Sequence, residues 1–193
     1  MFRTVSKRWA KHVDYTSTKA TRMLNFIRRN FKDCPKFTKR TLYLTYIRPI
    51  LEYACVSWDP HQAYLVNQLE AVQNRAARFI SGNYNFGSSV TQLKIELDLI
   101  PLFQRRRSMR LKFYYSIFHS YLGIDKYKYM LSAHYSSGRR DHSKKVREYK
   151  CRTDVFKYSF FPCTTSTWNS LPEEIISATS ATSFFNHVLS DAP

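Results

Sequence analysis

Apolar residues recur three or four positions apart over most of the chain, a spacing that predicts a mainly helical fold. Residues 9–29 carry an apolar stripe on one side and basic residues largely on the other. The stripe consists of Trp9, Val13, Ala20, Leu24 and Ile27. Residues 64–81 carry a second stripe, which consists of Leu65, Leu69, Val72, Ala76 and Phe79 or Ile80. Gly82 directly follows this second helix, as a helix-terminating glycine does.

Between these two helices, a third pattern predicts a helix from Thr38 to about Ser57 with a proline inside it. Its apolar ladder consists of Leu42, Tyr46, Ile47, Ile50, Leu51 and Ala54. Pro49 lacks an N–H and crowds the carbonyl of Thr45, which costs an isolated helix ~3 kcal/mol. We therefore expect a kinked helix held by tertiary packing. Trp58 adds a large apolar surface, and Asp59-Pro60 ends the helix.

The second half of the chain predicts shorter helices. Ser89-x-x-Gln92 matches a capping box. The expected elements are a helix over 101–122 with Leu102, Met109, Phe113 and Ile117 toward the core, a helix over 159–171 with Trp168 on its apolar side, and a last helix over 183–190. Glu173 and Glu174 suit the first turn of a further helix. Residues 149–158 alternate in part, which favours a short hairpin. The fold class is thus mainly α, a helical bundle with a small α+β C-terminal appendix.

Charge is distributed unevenly along the chain, whose net charge is +17. Residues 1–52 hold 13 basic and 3 acidic residues, and residues 104–157 hold 15 basic and 4 acidic residues. The stretch between them is nearly neutral, and the tail is slightly acidic. Two clustered basic blocks are typical of proteins that bind nucleic acid. An anionic membrane and a merely solvated face are the alternatives.

The basic residues on helix faces are the candidate phosphate contacts. They are Lys11, Lys19, Arg22, Arg29, Arg105, Arg106, Arg107, Arg110 and Lys112. A triple arginine rarely serves a core, because an unpaired buried charge is very costly. Tyr114, Tyr115 and Tyr121 supply aromatic surface beside it, which suits either base stacking or ordinary packing. Residues 123–148 are rich in basic residues, which predicts an exposed connection. They are also the best candidate for a domain boundary. The expected domains are 1–122, 123–148 and 149–193.

Catalytic patterns are missing from the sequence. It contains no paired aspartates for two divalent ions, no glycine-rich phosphate loop and no nucleophile motif. The four cysteines form no Cys-x-x-Cys pair. A zinc site from Cys151, Cys163 and His142 is an alternative, but its spacing matches no common template. We expect no enzyme activity, no metal and no cofactor. No apolar run is long enough for a membrane span, and reduced thiols favour the nucleus or the cytoplasm.

Four stretches resemble one known family in their order and spacing. They are HVDYTSTKATRMLNFIRRN (12–30), YIRPILEYACVSWDP (46–60), LEAVQNRAARFISG (69–82) and CRTDVFKYSFFPCTTSTWNSLPEEIISA (151–178). Together they are similar to the C-terminal part of the polyproteins of non-LTR (LINE-type, jockey-like) retrotransposons. The resemblance covers the chain from about Trp9 to Leu189. It corresponds to the thumb and post-thumb region of the reverse transcriptase, just after the palm.

The resemblance implies a helical thumb-like bundle without catalytic residues. The endonuclease and the palm, with its paired catalytic aspartates, have no counterpart here, so no catalytic residue carries over. A thumb grips the template–primer duplex through phosphates rather than bases. The expected partner is therefore RNA or DNA, an RNA–DNA hybrid above all, bound without sequence specificity and without a membrane. A separate polymerase palm is a second candidate partner.

Two other hypotheses remain at this point. The chain could be a structural orphan without function, whose face for the missing palm is apolar and includes Trp9, Trp58 or Trp168; it would then aggregate or bind a partner. It could also be an enzyme whose carboxylates or Cys and His side chains meet only in the fold.

Overall fold

A computed structural model describes residues 3–85, 87–135, 137–138 and 141–191, and the fold is mainly helical, as predicted. The chain separates into two compact units, Met1–Arg105 and Arg106–Pro193. The predicted domains 1–122, 123–148 and 149–193 remain predictions. The helices of the first unit are α1 (Arg3–Asn30), α2 (Lys36–Leu42), α3 (Arg48–Glu52), α4 (Cys55–Trp58), α5 (Ala63–Ser81) and α6 (Val90–Glu96).

Helix α7 (Leu102–Phe118) begins in the first unit and continues into the second. It ends four residues before the predicted end at 122. The later helices of the second unit are α8 (Asp154–Lys157), α9 (Phe160–Asn169), α10 (Glu173–Ile176) and α11 (Ala181–Ser190). A 3-10 turn, Lys126–Lys128, lies between α7 and α8.

The core of the first unit forms where α1 packs against α5 and α3. The apolar stripes of α1 and α5 are buried as predicted, except that Trp9 is 36% exposed. Gly82 follows α5 with a φ of +70°, a left-handed conformation that glycine adopts without strain. Ser89 caps α6 by accepting a hydrogen bond from the Gln92 N–H at 3.3 Å, which confirms the Ser89 half of the predicted capping box, whereas the Gln92 side chain bonds to Glu96.

The helix that contains Pro49 is more broken than predicted. Residues Tyr43–Ile47 form a π-helical turn, in which the Arg48 N–H bonds to the carbonyl of Tyr43. This wider turn precedes the proline, whose ring would otherwise crowd a regular helix. The extra residue in the turn also shifts the helical phase. Tyr43 is therefore buried, and Tyr46 of the predicted ladder is 55% exposed.

The predicted uninterrupted continuation to Ser57 is wrong, because α3 ends at Glu52 and a separate short helix, α4, follows. Ala54, expected in the core, is exposed and has a φ of +51°. Trp58 restores a hydrogen bond at this break, since its indole Nε1 donates to the Tyr53 carbonyl at 2.8 Å. Trp58 is buried and packs edge-on against the ring of His12 at 4.8 Å. It therefore contributes to the core rather than to an exposed apolar face.

The second unit is built around Trp168, which is fully buried. Its ring lies among those of Tyr114, Phe118 and Phe184 at centroid distances of 5.2, 5.4 and 5.6 Å. Of the two roles left open for Tyr114 and Tyr115, base stacking and ordinary packing, the structure therefore shows packing. Their hydroxyls are satisfied inside the unit, by Thr165 at 2.9 Å and by the Ala178 carbonyl at 2.7 Å.

The predicted core face of α7 was only half right. Leu102 and Ile117 are buried, whereas Met109 is half-buried and Phe113 is 37% exposed. Aromatic and apolar residues occur all around this helix, so its sequence does not single out one buried face.

The basic stretch 123–148, expected to be exposed, contributes core residues in its described part. Met130, His142 and Val146 are buried. Val146 exchanges two backbone hydrogen bonds with the side chain of Asn169, at 3.0 and 2.7 Å. The indole of Trp168 donates to the Lys144 carbonyl at 3.0 Å. These bonds tie the stretch to α9.

No hairpin forms over 149–158, where the structure instead contains α8, capped by Thr153. Among the described residues, strand pairing is limited to one isolated bridge between Ser132 and Val146. The predicted β component of the C-terminal appendix is therefore not found in the described part of 149–193. Ser180 caps α11, and Glu173 and Glu174 occupy the first turn of α10 as predicted.

Candidate nucleic-acid interface

The first candidate surface is the basic face of α1, formed by Lys11, Lys19, Arg22 and Arg29. All four side chains are exposed, and none forms an ion pair within the described part of the chain. Lys11, Arg22 and Arg29 are separated by 11 and 7 residues, so they lie within about 20° of one another around the helix axis. They span about 27 Å along it. The buried stripe of α1 lies on the opposite side.

Aromatic side chains lie between these cations. Tyr15 is 65% exposed and Phe26 is 51% exposed, and both belong to the same side of α1. The acid on this helix, Asp14, accepts a hydrogen bond from Gln68 at 3.2 Å, which draws it toward α5. The basic face of α1 thus combines positive charge with exposed aromatic surface.

Arg105 serves the fold rather than an open surface. Its guanidinium donates to both carboxylate oxygens of Glu52, at 2.5 and 3.1 Å, and both side chains are largely buried. Burial lowers the pKa of Arg105, but the hydrogen bond and charge of Glu52 outweigh it, so the pKa is raised. Arg48 lies 4.0 Å from the same carboxylate, and its pKa is lowered by burial and then by the charge of Arg105.

Glu70 anchors the start of α7 from a neighbouring helix. It accepts from the Leu102 N–H and from the Lys94 ammonium, each at 3.0 Å. Tyr43 and Gln73 extend the polar contacts, because the Tyr43 hydroxyl donates to Gln73 at 2.5 Å and Gln73 donates to the Ile100 carbonyl at 3.0 Å. Burial raises the pKa of Tyr43. The beginning of α7 is therefore fixed by a buried polar network.

The expectation that the triple arginine avoids the core is wrong for Arg106, because its side chain is fully buried. A guanidinium in that position cannot reach a phosphate in this arrangement. Arg107 and Arg110 are half-buried. Lys112 is also half-buried, and its ammonium lies 5.4 Å from the ring centre of Phe185. The α7 residues are thus much less open than the basic face of α1.

Arg29 also borders a cleft that sequence reasoning missed. Its described lining consists of Asn25, Arg28, Arg29, Lys32, Phe79 and Tyr84. The continuing basic run Arg28, Arg29 and Lys32 was a usable signal in the sequence. Tyr84 gave no signal in the sequence, because only the fold brings the loop after α5 beside the end of α1.

In the described ranges, no group of three or more His, Cys, Asp and Glu side chains is arranged to hold a metal ion. The buried His142 ring has a nitrogen 2.9 Å from the Trp168 carbonyl oxygen. Of the helices in those ranges, none is long and apolar enough to span a bilayer.

Comparisons of this chain with protein-family models, with curated proteins and with solved structures found no match.

Proposed function

We propose that this chain is a non-catalytic, thumb-like remnant of a non-LTR retrotransposon reverse transcriptase that binds nucleic acid without reading its sequence. The observation that carries the proposal is the basic face of α1, where three exposed cations, Lys11, Arg22 and Arg29, lie opposite a buried stripe and Lys19 lies beside them. The expected ligand is a template–primer duplex, an RNA–DNA hybrid above all, encountered in the nucleus or the cytoplasm.

The geometry of this face suits a phosphate backbone. Successive phosphates of one strand lie about 3.4 Å apart along the duplex axis, so a row of about 27 Å passes several of them. Charges at intervals along a straight helix contact the backbone without entering a groove. Such contacts position a duplex and carry no sequence information. The face therefore supports binding to duplexes in general.

The test is fluorescence anisotropy with a labelled RNA–DNA hybrid over a salt series. Each phosphate contact contributes about 0.9 to the slope of log affinity against log salt concentration. The variants Lys11→Ala, Arg22→Ala and Arg29→Ala should each lower that slope by close to one. Lys36→Ala is the matched control, because Lys36 is exposed but lies outside this face, on α2.

A slope that stays the same in the triple variant Lys11→Ala/Arg22→Ala/Arg29→Ala would show that α1 does not hold the duplex. A hybrid that binds at low salt with no dependence on salt concentration would contradict the proposal as a whole. Arg105→Ala is expected to lower stability, since it removes the closer of the two cations that pair with the largely buried Glu52, and so it is a poor probe of binding.

The alternative is a partner-binding fragment without its palm, and a second groove in the first unit favours it. This groove has a volume of about 300 Å³ and is lined by His12, Tyr15, Thr16, Lys19, Pro49, Ile50 and Tyr53. Tyr53 is 81% exposed at its edge. Concentration-dependent self-association that Tyr53→Ala abolishes, measured by light scattering after gel filtration, would favour this alternative. A monomer at all concentrations would count against it.

A further inference from the structure

The cleft beside the end of α1 combines the two chemistries that a nucleotide presents. Its volume is about 620 Å³, within the range of small-molecule sites. Among its described lining residues, Arg28, Arg29 and Lys32 are cationic, Phe79 and Tyr84 are aromatic, and none is acidic. Cations can hold a phosphate, and aromatic rings can stack on a base.

The two aromatic residues have different positions in the cleft. Phe79 is only 4% exposed, so its ring forms a floor, and the ammonium of Lys39 lies 5.1 Å from the ring centre. Tyr84 is 57% exposed. The guanidinium of Arg28 lies over the Tyr84 ring at 5.9 Å from its centre. A cation therefore already lies next to each ring, and Tyr84 still presents open aromatic surface.

The loop that carries Tyr84 is anchored on both sides of it. Arg78 donates to the carbonyls of Asn85 at 3.0 Å and Ser88 at 3.4 Å. The side-chain oxygen of Asn83 accepts from the Asn85 N–H at 3.0 Å and from the Ser88 hydroxyl at 2.9 Å. These bonds hold the loop in place before any ligand binds, so less conformational entropy is lost on binding.

Helix electrostatics explain only part of this arrangement. Arg28 and Arg29 lie in the last turn of α1, where the helix dipole favours positive charge. Lys32 lies beyond that helix, and Tyr84 belongs to a separate loop, so the dipole accounts for neither. An anchored aromatic residue among cations is the feature that points to a ligand.

We propose that this cleft holds one unpaired nucleotide of a single-stranded nucleic acid, with its base stacked on Tyr84 and its phosphate held by Arg29 and Lys32. The inference rests on the proposed function and extends it to a strand that runs beyond the duplex. In a duplex, both faces of each base are covered by its neighbours. An unpaired base offers the open face that an aromatic side chain requires.

The experiment measures anisotropy of the full chain with a labelled single strand of about 12 nucleotides, a length within the usual site size, and with a blunt hybrid of the same sequence. Tyr84→Ala should weaken single-strand binding about tenfold or more and leave hybrid binding within about twofold. Tyr84→Phe keeps the ring and should bind the single strand nearly as tightly as the unmodified chain does.

One control variant and two further measurements sharpen this test. Tyr64→Ala is the matched control, because Tyr64 is 60% exposed in the same unit but does not line the cleft, and it should bind normally. A strand that carries 5-iodouracil should crosslink under ultraviolet light to the peptide that contains Tyr84. Thermal unfolding of Tyr84→Ala should be unchanged, since the loop is anchored through Arg78 and Asn83.

The outcomes separate this inference from the proposed function. Equal losses on strand and hybrid in Tyr84→Ala, or competition by free AMP as effective as competition by the strand, would overturn the single-strand site. Hybrid binding that depends on the basic face of α1, combined with single-strand binding that ignores Tyr84, would overturn the cleft assignment alone. An unmodified chain that binds neither probe would overturn both.

Discussion

The cations of the basic face of α1 in the first unit and several cations of the second unit have different surroundings. In the first unit, the cations of the basic face of α1 are exposed, and those of the cleft surround an open space. In the second unit, several cations are bonded to the main chain. The Lys144 ammonium donates to the Ile176 carbonyl at 2.9 Å, and the Lys126 ammonium donates to the Phe118 carbonyl at 3.0 Å. Arg106 is fully buried.

This difference shows that a count of basic residues overstates a binding surface. By sequence, residues 1–52 and 104–157 carry nearly the same excess of positive charge. In the fold, Lys126 and Lys144 of the second block bond to main-chain carbonyls, and Arg105 and Arg106 are largely or fully buried. Lys128, Lys150, Arg152 and Lys157 of that block stay exposed. A cation whose hydrogen bonds are already made to carbonyls has less to offer a phosphate. For this reason we propose that nucleic acid, if bound as suggested above, contacts mainly the basic face of α1.

The largest effect should come from the aromatic centre of the second unit. Trp168→Ala removes a fully buried indole and its hydrogen bond to the Lys144 carbonyl, and should lower the free energy of unfolding by about 3–5 kcal/mol. Urea unfolding followed by near-ultraviolet circular dichroism measures this loss. Trp9→Ala is the control, because Trp9 is partly exposed in the first unit. A loss below about 1 kcal/mol in Trp168→Ala would contradict the packing described here.

A smaller but still large loss is expected where a cation of the first unit is structural. Glu52→Gln removes the charge that pairs with the largely buried Arg105, and should destabilise the chain by about 3 kcal/mol. The matched control is Asp98→Asn, because Asp98 pairs with Arg40 but is 86% exposed. It should cost less than about 1 kcal/mol. Equal losses in both variants, measured by urea unfolding, would show that burial does not set the strength of these pairs.

Removing one cation from each unit tests whether the two sets of cations have different roles. Lys144→Met keeps the aliphatic chain but loses the bond to the Ile176 carbonyl, and should cost about 1–2 kcal/mol. Arg22→Ala on α1 should change the unfolding free energy by less than about 0.5 kcal/mol. Affinity for an RNA–DNA hybrid should fall in Arg22→Ala and stay nearly unchanged in Lys144→Met. If both variants lost stability equally, the distinction between the two sets of cations would fail.

Features set by local sequence could be predicted. The stripes of α1 and α5 follow from helical spacing, and the Ser89 cap and the turn at Gly82 follow from the chemistry of single residues. The exposed cations of α1 were predicted for the same reason, since they lie opposite a clear apolar stripe. In such segments, the pattern alone determines which side faces water.

Features set by distant contacts could not be predicted. The apolar and aromatic residues of α7 occur on every side of the helix. Their spacing therefore did not reveal that Tyr114 and Arg106 are buried. The stretch 142–146 looked like a solvated basic loop, because its attachment uses backbone groups and the side chain of Asn169. The cleft was missed because the loop of Tyr84 depends on bonds from Arg78.

The smallest effect concerns the acid dependence of the second unit. The pKa of Glu173 is held below its usual value by hydrogen bonds, first from the Ser143 N–H at 2.7 Å and then from the Ser143 hydroxyl at 2.8 Å. The carboxylate therefore stabilises the fold above the usual pKa of about 4.3, and that contribution is lost as pH falls through the lowered value.

Glu173→Gln should consequently flatten the fall in thermal stability between pH 5 and about pH 3, relative to the unmodified chain. Glu174→Gln is the control, because its carboxylate lies one residue along α10 and does not bond to Ser143. It should leave the pH profile unchanged. The effect is modest because Glu173 is exposed and water can replace its bonds. If both variants flattened the profile equally, general charge repulsion in this basic chain, and not the bond to Ser143, would govern its acid sensitivity.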